Sequence, residues 1–518
     1  MSMRRLVVAS TALLTALGVV VLAGYLLVFS SSADRAARAA PADTGLYLNV
    51  YLEPSSGQRM SLDALIERVP GFADPASLDS KLHQLAQRLL GGIGLDYQAD
   101  LRPWLGDQVA AAVSFEAGAA SPRILLLVGC KDAVLARVAL PRILADRGPF
   151  TLERYRGRDL MVGGASNYAV LDDLVVIGQT ADAVRGALDA DADAAPSLAD
   201  ASVFRSAMDR VPSNHLASAY LNLARLAQLG GQNALGGYST AALALVAQAG
   251  ALHVIGDAPF DLSRASDSAR EAFALGSEPS SLADWMPAGT HGEVVLFGLQ
   301  QTLVSLEEQL KTDPSLTDAV QAINSLRALA ALGLGINIDR DLLPLFDREA
   351  ALALDHVSTT TPHGSLLLRP SDPAAAQAAL DRMRAALVEH GSRVTTREQA
   401  GVIITIAQVP QFGTVAYAVT EGVVVIGPDG DAVAAILRAH ASGDTLGRAD
   451  AYDRPFRIAG SRGGNELWVN AAGLIELAGE IFDLGTEPRD ILNQIGALVM
   501  TAPAHDDRLE FHAVLTVR

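Results

Sequence analysis

Ala459-Gly460-Ser461-Arg462-Gly463 is the stretch of this chain nearest to a nucleophile elbow, the glycine-flanked serine that starts acyl transfer. That chemistry needs a strand before the serine and a helix after it. Here Pro455 precedes the stretch and a strand-like run follows, so a plain loop is expected. Asp189-Ala-Asp191-Ala-Asp193 has the opening of a calcium loop, but Ala194 stands at the glycine position and Asp200 at the closing glutamate position. It reads as a solvated acidic loop. Cys130 is the single cysteine and ends the apolar run Ile124–Gly129, where a buried, inert thiol is expected. The ten histidines (His83, His215, His253, His291, His356, His363, His390, His440, His505, His512) include no two at ligand spacing on one helix. His-Glu-x-x-His, Cys-x-x-Cys and the Gly-Lys-Ser/Thr phosphate loop are absent. No catalytic, cofactor-binding or metal residue is assigned, no cofactor is expected, and a non-enzymatic protein is the expectation.

Some residues recur in pairs. Asp182 and Asp431 each follow a capping residue, Thr180 or Asp429, and belong in the first turn of a helix, where a carboxylate suits the dipole. Asn222 and Asn470 each sit at a strand end, Asp100 and Asp341 each precede Leu-x-Pro. Structural roles account for all three pairs. Trp104, between Pro103 and Leu105, is expected to be a buried packing residue, because Leu345 takes its place in the second occurrence.

The pairs belong to a larger repetition. YAVLDDLVVIGQTADAVRGAL at 168–188 returns as YAVTEGVVVIGPDGDAVAAIL at 417–437, an offset of 249. Pro41–Thr44 matches Pro287–Thr290 at 246, Gly94 with Asp100-Leu-x-Pro103 matches Gly335 with Asp341-Leu-x-Pro344 at 241, and Tyr220-x-Asn222 matches Trp468-x-Asn470 at 248. A period this long exceeds solenoid and propeller units. The chain is expected to be α+β, a tandem duplication of a mostly antiparallel sheet-plus-helices domain after one N-terminal transmembrane helix.

The expected organisation is a tail at 1–5, a transmembrane signal-anchor at 6–29, a tether at 30–40, copy one at 41–255, a connection at 256–286 and copy two at 287–518. The 24 residues from Leu6 to Phe29 are uncharged and follow Arg4-Arg5. As a helix they would reach roughly 36 Å, enough for a hydrocarbon core of about 30 Å. Localisation is therefore expected at the cell membrane, single-pass, with the bulk outside the cytoplasm. The alternative is a secreted or periplasmic protein after cleavage near Ala37-Arg38-Ala39. Along copy one, the order from Ile124 to Leu223 suggests a ferredoxin-like split βαβ unit. A helix is expected at Leu78–Leu90, another from Asp132 to Asp146 interrupted at Pro141, and a small-residue helix at Thr240–Leu252.

A formal charge of −18 over 518 residues has the wrong sign for nucleic acid, which is excluded as a partner. The expected partners are the membrane through 6–29 and an envelope protein or lipid ligand. A carrier of a lipid or other apolar ligand is the alternative to a binding or scaffolding protein, with a hydrolase behind both.

The Pro-Ala-Asp-Thr opening, Asp-Leu-x-Pro-Trp-Leu-Gly at 100–106 and the Tyr-Ala-Val…Val-Ile-Gly hairpin resemble the bacterial family called domain of unknown function 3352. Copy two departs at the motif, where Leu345-Phe346-Asp347 replaces Trp-Leu-Gly. The resemblance implies a membrane-anchored, extracytoplasmic bacterial protein and brings no catalytic residue.

Overall fold

A computed structural model describes residues 34–53, 55–68, 96–115, 121–230, 237–248, 250–312, 317–356, 363–410, 413–481 and 493–518. The tail 1–5, the apolar stretch 6–29 and the helix expected at Leu78–Leu90 lie outside those residues. No helix among the described residues is long and apolar enough to cross a membrane. The chain divides into two compact units, Met1–Phe260 and Asp261–Arg518, and each is α+β.

The first unit contains β1 (Thr44–Tyr51), β2 (Leu105–Ser114), β3 (Arg123–Cys130), β4 (Thr151–Tyr155), β5 (Arg158–Val162), β6 (Asn167–Val170), β7 (Leu174–Gly178), β8 (Ala217–Leu221), β9 (Ala241–Gln248) and β10 (Ala251–Pro259). All pair antiparallel, in the order β4-β5-β6-β7-β3-β2-β1-β8-β9-β10. This is a correction to the split βαβ reading: the sheet runs on past four strands, because β4, β5 and β6 form a meander beyond β7. Leu174–Gly178 is apolar at consecutive positions because helices cover both faces. Val176 joins the core under the Arg35–Ala39, Ala181–Asp191 and Ser202–Met208 helices, and Val175 joins the one under Ala133–Ile143.

The second unit contains β11 (Gly292–Phe297), β12 (Glu349–His356), β13 (His363–Arg369), β14 (Arg393–Gln399), β15 (Val402–Val409), β16 (Gly413–Thr420), β17 (Val423–Gly427), β18 (Asn465–Asn470), β19 (Ile495–Ala502) and β20 (Arg508–Val517). Its order is β14-β15-β16-β17-β13-β12-β11-β18-β19-β20, the first unit's order with each label raised by ten. Register agrees as well. Tyr168 pairs with Ile177, and Tyr417 pairs with Ile426.

Helix starts follow their caps. Asp132 accepts from the N–H groups of Val134 and Leu135, Thr180 from Ala183, Asp372 from Ala374 and Ala375, and Asp429 from Asp431 and Ala432. Contrary to expectation, Pro141 does not interrupt the Ala133–Ile143 helix, which runs two residues beyond it. A short 3₁₀ turn follows and stops at Gly148, whose φ of 101° suits glycine.

Three segments depart from expectation. Asp34–Ala40, read as the end of a tether, is built into the first core: Ala36, Ala37, Ala39 and Ala40 are buried, and the Tyr47 hydroxyl donates to Asp34 at 2.6 Å. Within the stretch 256–286, expected to be a connection, β10 extends to Pro259, and Leu282, Ala283, Trp285 and Met286 are buried in the second core. These two pieces are counterparts. The Arg35 N–H donates to Gln108 Oε1 at 3.3 Å, and the Ser281 N–H donates to Glu349 Oε1 at 3.0 Å. Finally, Thr240–Leu252 is not a helix. Its aliphatic residues alternate in burial along β9, as the two-residue period of a half-covered strand requires.

Candidate functional site

The residues singled out for their chemistry are held in structural roles. Gly460 closes the Asp450–Ala459 helix with φ 70°, and Ser461 lies in the loop leading to β18, so no elbow forms. Asp189 accepts from the Tyr155 hydroxyl at 3.0 Å and pairs with Arg156. No group of three metal-ligating side chains occurs among the described residues. Cys130 is buried, and burial raises its thiol pKa. Burial lowers His215 and His512. Asp182 and Asp431 pair with Arg185 and Arg397 beside their helix starts. Asn222 accepts from the Arg225 N–H at 3.0 Å and Asn470 from the Gly473 N–H at 2.9 Å, each capping the helix after its strand. Asp100 and Asp341 close matching π-helical turns by accepting from the N–H groups of Asp96 and Asn337. Trp104 is buried and donates to the Asp100 carbonyl at 2.6 Å, and Leu345 is buried in turn.

A cluster of buried acids in the second unit went unread. Strand alternation builds it. On β11, Glu293, Val295 and Phe297 point to one face. Phe297 is paired with Glu349 on β12, Val295 with Glu466 on β18, and Glu466 with Thr501 on β19. Glu293, Glu349, Glu466 and Thr501 therefore share the core face of the sheet, and all are at most 3% exposed. The Asp450–Ala459 helix covers them with Tyr452 and Phe456, and the following loop returns Arg462 over both rings at 5.1 and 4.9 Å.

The three carboxyls are served unequally. Glu349 accepts from Ser280 Oγ at 2.7 Å, the Ser281 N–H at 3.0 Å and Ser281 Oγ at 3.1 Å, with Arg369 at 3.9 Å. Glu466 Oε1 accepts from the Gly463 N–H at 3.0 Å, while its Oε2 has no partner. Neither oxygen of Glu293 has a partner in hydrogen-bond geometry, although Tyr452 faces it closely enough to lower its pKa in part. Desolvation dominates. It pushes Glu293 up to about 8 and Glu466 up to about 7, with Arg462 opposing the rise in both. Tyr452, whose hydroxyl accepts from Arg462 at 3.1 Å, is raised well above the usual phenol range by burial and by the two acids. The three acids lie beneath helix and loop, each at most 3% exposed.

The first unit places neutral groups on the same lattice. Tyr47 is paired with Ala112 and Tyr220 as Glu293 is with Ala353 and Trp468. Tyr51 is paired with Gln108 as Phe297 is with Glu349, and Asn49 with Ser218 as Val295 is with Glu466. The acids were visible in principle. Each lies in an apolar strand, in phase with its inward residues, as Glu293 is with Val295 and Phe297.

The family described as "Protein of unknown function (DUF3352)" matches residues 6–511, nearly the whole chain. No curated protein matches. Among solved structures the chain is similar to crystal forms I, III and IV of TP0453, at 9, 10 and 8% identity. The matches cover 49, 48 and 43% of this chain and 89, 89 and 79% of those chains, with TM-scores of 0.26, 0.25 and 0.23.

Proposed function

The chain belongs to the DUF3352 family, and we propose that it is a membrane-tethered, extracytoplasmic binding or scaffolding protein of the bacterial envelope rather than an enzyme. Residues 6–29 anchor it, and the two units arose by duplication of one domain. The observation carrying the non-enzymatic reading is the sealing of the acid cluster: Glu293, Glu349 and Glu466 converge, yet are 0, 3 and 2% exposed. A hydrolase needs its acid and base within reach of a substrate. The shared strand order and register support duplication, since the same local choices are made twice.

A second reading, a carrier of an apolar ligand, is favoured by the Thr317–Leu334 helix. It exposes Leu326, Leu329 and Leu332 by 62, 69 and 83%, an aliphatic face that a lipid chain could cover. Native mass spectrometry of the detergent-extracted chain separates the readings. A co-purified protein supports the scaffold, and a retained lipid supports the carrier. A cytoplasm-only reporter fused after Arg518 should be silent, and strong activity there would overturn the topology.

A further inference from the structure

The Ala133–Ile143 and Pro373–Glu389 helices hold matching places in the two units. The first follows Asp132 and buries Ala136, Ala139 and Leu140, and the second follows Asp372 and buries Ala376, Ala379 and Leu380. Each donates an arginine to the π-helical turn below it, Arg142 to Asp100 at 2.6 Å and Arg382 to Asp341 at 2.8 Å. Their outward faces differ. The second helix exposes Ala374, Ala375 and Ala378. At the same positions the first exposes Val134, Leu135 and Val138, by 68, 43 and 73%. Core packing is alike in the two, so it does not explain the larger side chains.

The first helix is also set apart by its nearness to the point where the described chain begins. The described chain enters at Asp34, and Arg35 pairs with Asp107 and stands 3.6 Å from Asp173. The Asp173 carbonyl accepts from the Cys130 N–H at 2.8 Å, and Asp132, two residues on, caps the aliphatic helix. Entry point and aliphatic helix start thus share one end of the sheet. Only Ser30–Ala33 separate Phe29 from Asp34, a reach of about 17 Å at full extension. Lys131 and Arg137 are exposed beside the three aliphatic residues, Arg137 also donating to the Val170 carbonyl at 3.3 Å. Of the acids at this end, Asp107 pairs with Arg35, Asp132 caps the helix, and Asp172 and Asp173 stand 3.6 Å from Arg158 and Arg35.

We propose that the Lys131–Val138 surface of the first unit rests on the bilayer that residues 6–29 enter. Val134, Leu135 and Val138 lie at the boundary of headgroups and acyl chains, and Lys131 and Arg137 extend to lipid phosphates. The second unit's alanine face has no such contact. The proposal depends on the anchoring reading given above, and its test separates the two.

Full-length V138C and A378C chains, in nanodiscs of phosphatidylethanolamine and phosphatidylglycerol, are labelled under native conditions with an environment-sensitive NBD dye. The parent chain, whose only thiol is the buried Cys130, serves as the blank. The label at 138 should emit to the blue of that at 378 and lose about half its emission to 5-doxyl lipid, as a site in the interfacial layer does. A label at 138 as wet and unquenched as that at 378, on protein that co-elutes with the discs, overturns the docking and leaves the anchor standing. A blue-shifted label at 138 that doxyl lipid does not quench means that another protein surface covers it, which also overturns the proposal. Protein that fails to co-elute with discs removes the anchor, and the docking with it.

Discussion

The two units put different chemistry on one lattice. At matched positions of the core face, the first carries Tyr47, Asn49, Gln108 and Ser218, and the second carries Glu293, Val295, Glu349 and Glu466. The covering aromatic exchanges too. Phe204 stacks edge-on against Tyr47 and Tyr220 in the first, and Tyr452 against Trp468 in the second. The backbone evidently accepts either set, so strand pairing and the surrounding alanines specify the fold. The polar row is free to set how the core answers to protons.

The largest effect should come from removing the first unit's leading helix. A chain beginning at Pro41 loses four buried alanines and strips Tyr47 and Gln108 of partners, at a cost on the order of 5 kcal/mol. A chain beginning at Asp34 should keep its stability. Hydrogen exchange on β1 and β2 reads both, and equal protection in the two chains would show that the helix is dispensable. The same comparison bears on cleavage near Ala39, which would discard this piece.

Protonation should divide the units next. The folded pKa values of Glu293, about 8, and Glu466, about 7, lie above the unfolded value of 4.5. Their contribution is therefore fully present below about pH 4.5 and is lost as pH rises through 7 to 8. The second unit should weaken by several kcal/mol between pH 5 and 8.5, with Glu349, Arg369, Arg462 and Tyr452 as the facing groups. Among the described carboxyls of the first unit, Asp34, raised by burial and eased by Tyr47, and Asp191, raised by burial and eased by Arg158, act in this sense. Exchange of β11 and β18 peptides against β1 and β8 peptides across that range measures the contrast. Matched pH profiles would erase it. Glu293→Gln sharpens the point by removing the charge in place, so the second unit should then gain stability at pH 8.5 relative to the parent and lose roughly half of its slope, the remainder belonging to Glu466.

Trp104→Ala should cost roughly 3–5 kcal/mol and Leu345→Ala roughly 2–5 kcal/mol, because each is buried at the same site. Thermal melting that responds to only one of them would break the equivalence. The smallest difference belongs to the closing aspartates. Asp341 is held well below the ordinary carboxylate range by Arg340 first and Arg382 next, against its burial, so its contribution is present above about pH 3.8 and is lost in acid. Its side chain is 2% exposed, against 18% for Asp100. Asp341→Asn should cost about 1–3 kcal/mol, and Asp100→Asn about 1 kcal/mol or less, by denaturant titration.

What could be read in advance followed from local signals. Thr180 and Asp429 announced helices, the Tyr-Ala-Val segments announced hairpins, and Asp100 and Asp341 announced closed turns. The Arg35–Ala39 helix was hidden because a run of small residues looks the same in a linker as in a tightly packed core. Thr240–Leu252 misled because alanine favours helices, whereas here Ala242 and Ala244 fit between a sheet and its cover. The acid cluster escaped because its three members come from three strands distant in sequence, and only strand pairing brings them to one face.

β1 has a consequence in time. Among the described strands of its sheet it is the first to be made, yet it is bonded along both edges, to β2 and to β8. Until Ala217–Leu221 has been synthesised, one edge of the sheet's interior stays open, its backbone donors and acceptors available to any passing strand. Gly292–Phe297 repeats the wait, with Asn465–Asn470 as its late partner. Each half of this chain therefore passes through a period in which its middle is an unguarded border. A companion that shields extended chain during synthesis should raise the yield of folded protein more than one that acts on finished molecules.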